Sequence, residues 1–76
     1  MQRPPGLSTI VGGNVKRLRL ARNMTQAELA QAAGTAQNVI SGMESGMKGA
    51  SMLMLGRVAE ALGVKGAELF KERGTK

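Results

Sequence analysis

The side chains able to do chemistry in this chain are few in kind: carboxamides, hydroxyls, five glutamates and 11 lysines and arginines. Histidine, cysteine, tryptophan, tyrosine and aspartate are absent. Their absence removes the usual metal ligands, the imidazole base, thiol nucleophiles and every triad built on histidine. No catalytic residue, metal site or cofactor is expected, and an enzyme is the remotest reading. What remains is recognition by hydrogen bonding and charge. Each carboxamide offers a donor and an acceptor side by side.

Those groups need a scaffold, and 76 residues, 42% of them apolar, allow one small domain. The net charge of +6 makes it basic, which suits nucleic acid but equally an anionic lipid surface. A chain this short buries only about 60% of its unfolded surface and has no disulfide to staple it, so the core must be compact and locally wound. The start, Met1-Gln2-Arg3-Pro4-Pro5-Gly6, lacks the apolar stretch of an export signal. The longest strongly apolar run, Met52 to Leu55, falls far short of the roughly 18 residues of a membrane span. A soluble, cytoplasmic protein with no membrane partner is the expectation.

Periodicity divides the chain into a mobile arm at 1–10, a helical domain at 11–71 and a frayed tail at 72–76. Val11, Val15 and Leu18 predict a first amphipathic helix ending near Asn23. Thr25 with Glu28 is a capping box that opens a second, which Gly34 closes. A third opens at Thr35 or Ala36 with Val39, Ile40 and Met43 as its buried stripe. Ser51 caps a fourth, carrying Met52, Leu55, Val58, Ala59 and Leu62 inward and ended by Gly63. A last turn, Ala67 to about Lys71, tucks in Leu69 and Phe70. The fold class is all-α.

Counting from Gln26, Ala30 is fifth, Gly34 ninth and Ile40 fifteenth, the small, turn and locking positions of two helices joined by a tight turn. With Leu18-Arg19, Met24 to Ala30, Ile40-Ser41, Glu44-Ser45-Gly46 and Ala59 to Val64, the chain resembles, from Val11 to Phe70, the Cro and phage-repressor (XRE-like) helix-turn-helix family. The resemblance implies a compact five-helix, lambda-repressor-like domain with the motif at helices two and three. It implies that helix three enters the DNA major groove, with Gln37, Asn38 and Ser41 along its groove side, and that Gln26 bonds a phosphate. The chemistry agrees: an amide can engage adenine N6 and N7 together, and serine can reach either kind of base edge. Thr25, Lys48, Lys16 and Arg17 are further candidates for phosphate contact. Arg19 and Glu44 stand where the family pairs an arginine with a glutamate, and are read as a structural ion pair.

The chain departs from the family's pattern in three places. Residues 35–46 hold no lysine or arginine, Gly42 replaces a long polar residue, and Ala50 stands where proline is common. Leu53, Met54 and Ala61 lie off the inward stripe of helix four and are the expected dimer interface. The reading is a bacterial or phage regulator of transcription, a repressor that occupies its operator as a homodimer on double-stranded DNA. The rival is a protein-interaction module on the same fold: an antitoxin, an antirepressor or a subunit of a larger complex with a protein partner. Single-stranded nucleic acid is disfavoured, because Phe70 is the one aromatic and stacking platforms need several.

Overall fold

The computed structural model describes residues 6–46 and 51–72. They form α1 (Leu7–Ala21), α2 (Gln26–Ala33), α3 (Gln37–Glu44), α4 (Met52–Leu62) and a 3-10 helix, Gly66–Phe70. The fifth helical element is thus a 3-10 turn rather than an α-helix.

The first helix begins at Leu7, so residues 7–10 do not belong to an arm. Nothing local announces this start: Gly6, at the N-cap, supplies no side-chain bond. Tertiary contact holds the turn instead. Thr9 lies against the backbone just past α3, where a Cβ built on Gly46 would come within 3.3 Å of the Thr9 Cα. One turn later Gly12 touches α3 itself, and a Cβ there would collide with the Met43 carbonyl oxygen and lie 2.9 Å from that of Glu44. The remainder of the expected arm, residues 1–5, the loop at 47–50 and the tail at 73–76 lie outside the described residues. The helix ends at Ala21, slightly before the expected Asn23, which itself takes φ of 57°, a left-handed conformation that asparagine tolerates better than most residues.

Val11, Val15 and Leu18 of α1 meet Leu29, Ala30 and Ala33 of α2, Ile40 and Met43 of α3, Leu55, Val58, Ala59 and Leu62 of α4, and Leu69 in one core. Two expected members are missing. Val39 is 39% exposed and Met52 76% exposed. Val39 precedes Ile40 by one residue and so stands about 100° round the helix from it, at the edge of the stripe. Met52 is the first residue of α4, whose inward side leans the other way: Met54 and Ala61, a turn before and a turn after Val58, are the partly buried residues packed on the core.

Candidate nucleic-acid interface

The site is built on α2, the turn after it and α3. At the start of α2 the Glu28 N–H donates to Thr25 Oγ1 at 3.0 Å, and the Thr25 N–H donates to Glu28 Oε1 at 2.8 Å. This capping box leaves the Thr25 hydroxyl hydrogen free to donate outward. At the other end Gly34 takes φ of 72°, and the Thr35 and Gly34 N–H groups donate to Ala30 O and Gln31 O at 2.9 and 3.2 Å. That double bond arrangement needs a left-handed residue, which glycine supplies without a Cβ clash. The chain therefore turns sharply into α3. Ala30 at 2% and Ile40 at 0% exposure hold the two helices against each other.

A buried ionic group fixes the other end of α3. Arg19 Nε donates to Glu44 Oε2 at 2.6 Å and Nη2 to Oε1 at 3.1 Å, while Nη1 donates to the Met24 carbonyl at 2.7 Å. The two side chains are only 9% and 3% exposed. Bonding to Glu44 raises the Arg19 pKa above the ordinary arginine value; desolvation opposes this and the carboxylate's charge adds to it. The guanidinium thus stays charged and ties α1, the Met24 loop and α3 together.

Gln26 also joins this group. Its Nε2 donates to Glu44 Oε1 at 3.1 Å, a link absent from the sequence expectation. One amide hydrogen remains, together with the backbone N–H at the first position of α2, which has no acceptor inside the helix. The phosphate-facing groups expected of Gln26 are therefore held in place by the same carboxylate that anchors α3.

Along α3, Ile40 and Met43 turn inward while Gln37, Asn38, Ser41 and Ser45 are exposed. Gly42 is half-buried, with open space where a Cβ would stand. Gln37 and Ser41 are one turn apart, as are Asn38 and Ser41, so the three expected base-reading residues lie on one surface. Ala36 at the N-cap makes no side-chain bond to the first-turn amides. Among the described residues, neither α2 nor α3 carries a lysine or arginine.

The expected cationic contacts separate. Lys16 is exposed one turn after Gly12, on the flank of α1 that meets α3. Arg17 lies one turn after Asn14, on the flank that meets the C-terminal segment; its Nη2 donates to Asn14 Oδ1 at 3.4 Å, and its buried Nε has no partner among the described residues. The structure does not bring Arg17 to the α2–α3 surface. Lys48 lies outside the described residues. Of the expected dimer residues, Leu53 is 67% exposed, whereas Met54 and Ala61 are half-buried against the core.

Sequence reasoning passed over Asn14. It is 4% exposed, and its Nδ2 donates to Leu69 O at 2.8 Å and Lys71 O at 2.7 Å, clamping the C-terminal segment to α1. The signal was present: Asn14 falls three residues after Val11 and four before Leu18, on the apolar stripe, where a polar side chain must find partners.

Residues 15–69 match the family described as Helix-turn-helix. The chain is 37% identical over 60 residues to an uncharacterized HTH-type transcriptional regulator, y4dJ, of Sinorhizobium fredii, a match covering 79% of this chain and 78% of that protein. Among solved structures it is similar to the restriction-modification controller protein C.AhdI of Aeromonas hydrophila, with TM-score 0.81 and 28% identity over 83% of this chain and 96% of that one. It is also similar to the clp gene regulator ClgR of Corynebacterium glutamicum, with TM-score 0.84 and 30% identity over 88% and 71% of the two chains. A chain of a SinR/SinI complex matches with TM-score 0.78 and 28% identity over 82% and 61%.

Proposed function

Since the chain belongs to the XRE-like helix-turn-helix family of DNA-binding transcription regulators, we propose that it is a sequence-specific binder of double-stranded DNA that represses by occupying an operator as a dimer. The observation that supports this most directly is the exposed surface of α3. Gln37, Asn38 and Ser41 share it, and the Arg19–Glu44–Gln26 group fixes the helix behind it. The amides match adenine N6 and N7, and such a pairing is worth about 1 to 3 kcal/mol against a wrong base. Thr25 and Gln26 at the start of α2, with Lys16 and Lys48, take phosphates and set the register. The family is not a class of enzymes, and the cytoplasm is where such a regulator meets its DNA.

Selection from a random duplex library tests this reading. Enrichment of a two-fold symmetric site is the expected outcome, and enrichment of no sequence overturns it. The rival, a protein-interaction module, draws on Met52 and Leu53, exposed side by side at the start of α4, and on the likeness to a chain from a protein complex. It gains the field if no duplex is enriched and the folded protein stays monomeric.

A further inference from the structure

A solitary exposed valine is ordinary on a protein surface. What sets Val39 apart is its address. It is the one large apolar side chain exposed on α3, it follows Asn38 directly, and one turn on from it stands Gly42, with nothing within 4 Å of where a Cβ would be. Val39 and the bare backbone at Gly42 thus form an apolar shelf beside the carboxamides. A β-branched residue is also a weaker helix former than the straight-chain residues that suit an exposed position.

We propose that Val39 reads the C5-methyl group of a thymine in the major groove, and so is a further specificity-determining residue. The inference rests on the DNA-binding reading above and deepens it. Its chemistry follows from the neighbouring amides. Where Gln37 or Asn38 holds adenine through N6 and N7, the paired thymine presents its methyl group on the same groove edge, and apolar contact is the means of recognising that methyl. Among the described residues of α3, Val39 alone exposes a large apolar group to meet it, and the missing side chain at Gly42 leaves room for the methyl to approach.

The test uses the full chain and the duplex enriched by selection, with each thymine of one half-site replaced in turn by deoxyuridine, which deletes the methyl and leaves the hydrogen-bonding edge intact. Wild type is expected to lose about fourfold in affinity at one such position, the value of one buried methylene-sized group. Val39→Ala is expected to bind the thymine duplex more weakly by a similar factor and to show no further loss with deoxyuridine. Val39→Thr, of the same shape, controls for packing and is expected to keep the fold while showing a deoxyuridine penalty between those of wild type and Val39→Ala, since it retains one γ-methyl. Two outcomes overturn the proposal while leaving sequence-specific binding in place: no deoxyuridine position matters to wild type, or the deoxyuridine penalty is undiminished in Val39→Ala. Equal binding of all duplexes by wild type overturns the base-reading function, and the proposal with it.

Discussion

At the scale of single residues, Glu44 carries the most consequence, because three donors from Arg19 and Gln26 meet its two oxygens in a nearly dry site. Removing one partner of a buried pair leaves a charge stranded, so Arg19→Met is expected to cost about 3 to 5 kcal/mol in a denaturant melt. Arg19→Met with Glu44→Leu recovers part of this but not all, since the Met24 carbonyl and the Gln26 amide also lose partners. Additive single effects would mean that the pair is not coupled. Bonding raises the Arg19 pKa, so its contribution is fully present below the ordinary arginine value and is lost only as pH rises past the raised one. Melts from neutral pH to about pH 10 are expected to show the same penalty for Arg19→Met, as far as Arg19 ionisation governs it. The ion pair was legible through its motif positions. The third member was not, because Gln26 and Glu44 lie 18 residues apart and an amide at a helix start reads equally well as a phosphate ligand.

Base-reading and phosphate-binding residues separate by a different measurement. Gln37→Ala is expected to cost about 1 to 3 kcal/mol on the selected site and to relax preference at one base position. Lys48→Ala is expected to weaken every duplex alike and to lower the salt slope by about one unit. Competition with all single-base variants distinguishes them, and an equal loss for Gln37→Ala on specific and random DNA would take it out of the base-reading role.

At the scale of elements, what the sequence announced was what local chemistry encodes. The Thr25–Glu28 box, the Ser51 cap, whose Oγ accepts from the Met54 N–H at 3.1 Å, and the left-handed Gly34 and Gly63 all stand at the expected ends of helices. The start of α1 was hidden because residues 1–9, with two prolines, a glycine and two hydroxyl residues, show no helical period and Gly6 adds no capping side chain; inside the helix then come two adjacent glycines, Gly12 and Gly13. They differ in reason: Gly12 is required by the α3 carbonyls, whereas a Cβ at Gly13 meets nothing within 4 Å. Hence Gly12→Ala is expected to destabilise by about 1 to 3 kcal/mol through overpacking, and Gly13→Ala to stabilise by about 0.8 to 1 kcal/mol through helix propensity. Paired thermal melts read the two signs. If both substitutions stabilise, α1 and α3 do not approach as closely as the structure places them.

At the scale of the whole molecule, the question is how so small a surface finds one site among many. On the proposed reading a single α3 reads only a few base pairs, so one copy lacks the base contacts needed to tell its site from competing non-specific DNA, and added charge would strengthen both kinds of binding alike. The proposed second copy would double those contacts. In such a dimer two-fold symmetry is expected to set the two copies of α3 about 34 Å apart, with half-site centres about 10 base pairs apart in an inverted repeat. For the surface between copies the exposures favour the start of α4: Leu53 at 67% and its neighbour Met52 at 76% stand free, while Met54 and Ala61 already pack on the core. That division, unreadable from a stripe of apolar letters, narrows the experiment. Met54→Glu would injure the fold as well as any interface, so Leu53→Glu is the cleaner probe, since it places a charge in an apolar contact without touching the core. It is expected to leave a folded monomer whose melting temperature does not depend on protein concentration, and an affinity for the full site lower by a factor on the order of a hundred, the advantage that two linked contacts hold over one. Sedimentation of wild type and variant, free and with full-site and half-site duplexes, reads both effects. A variant that still binds as two cooperating copies would move the interface elsewhere on the molecule, and a wild type that holds an isolated half-site as tightly as the full site would remove the dimer from the mechanism.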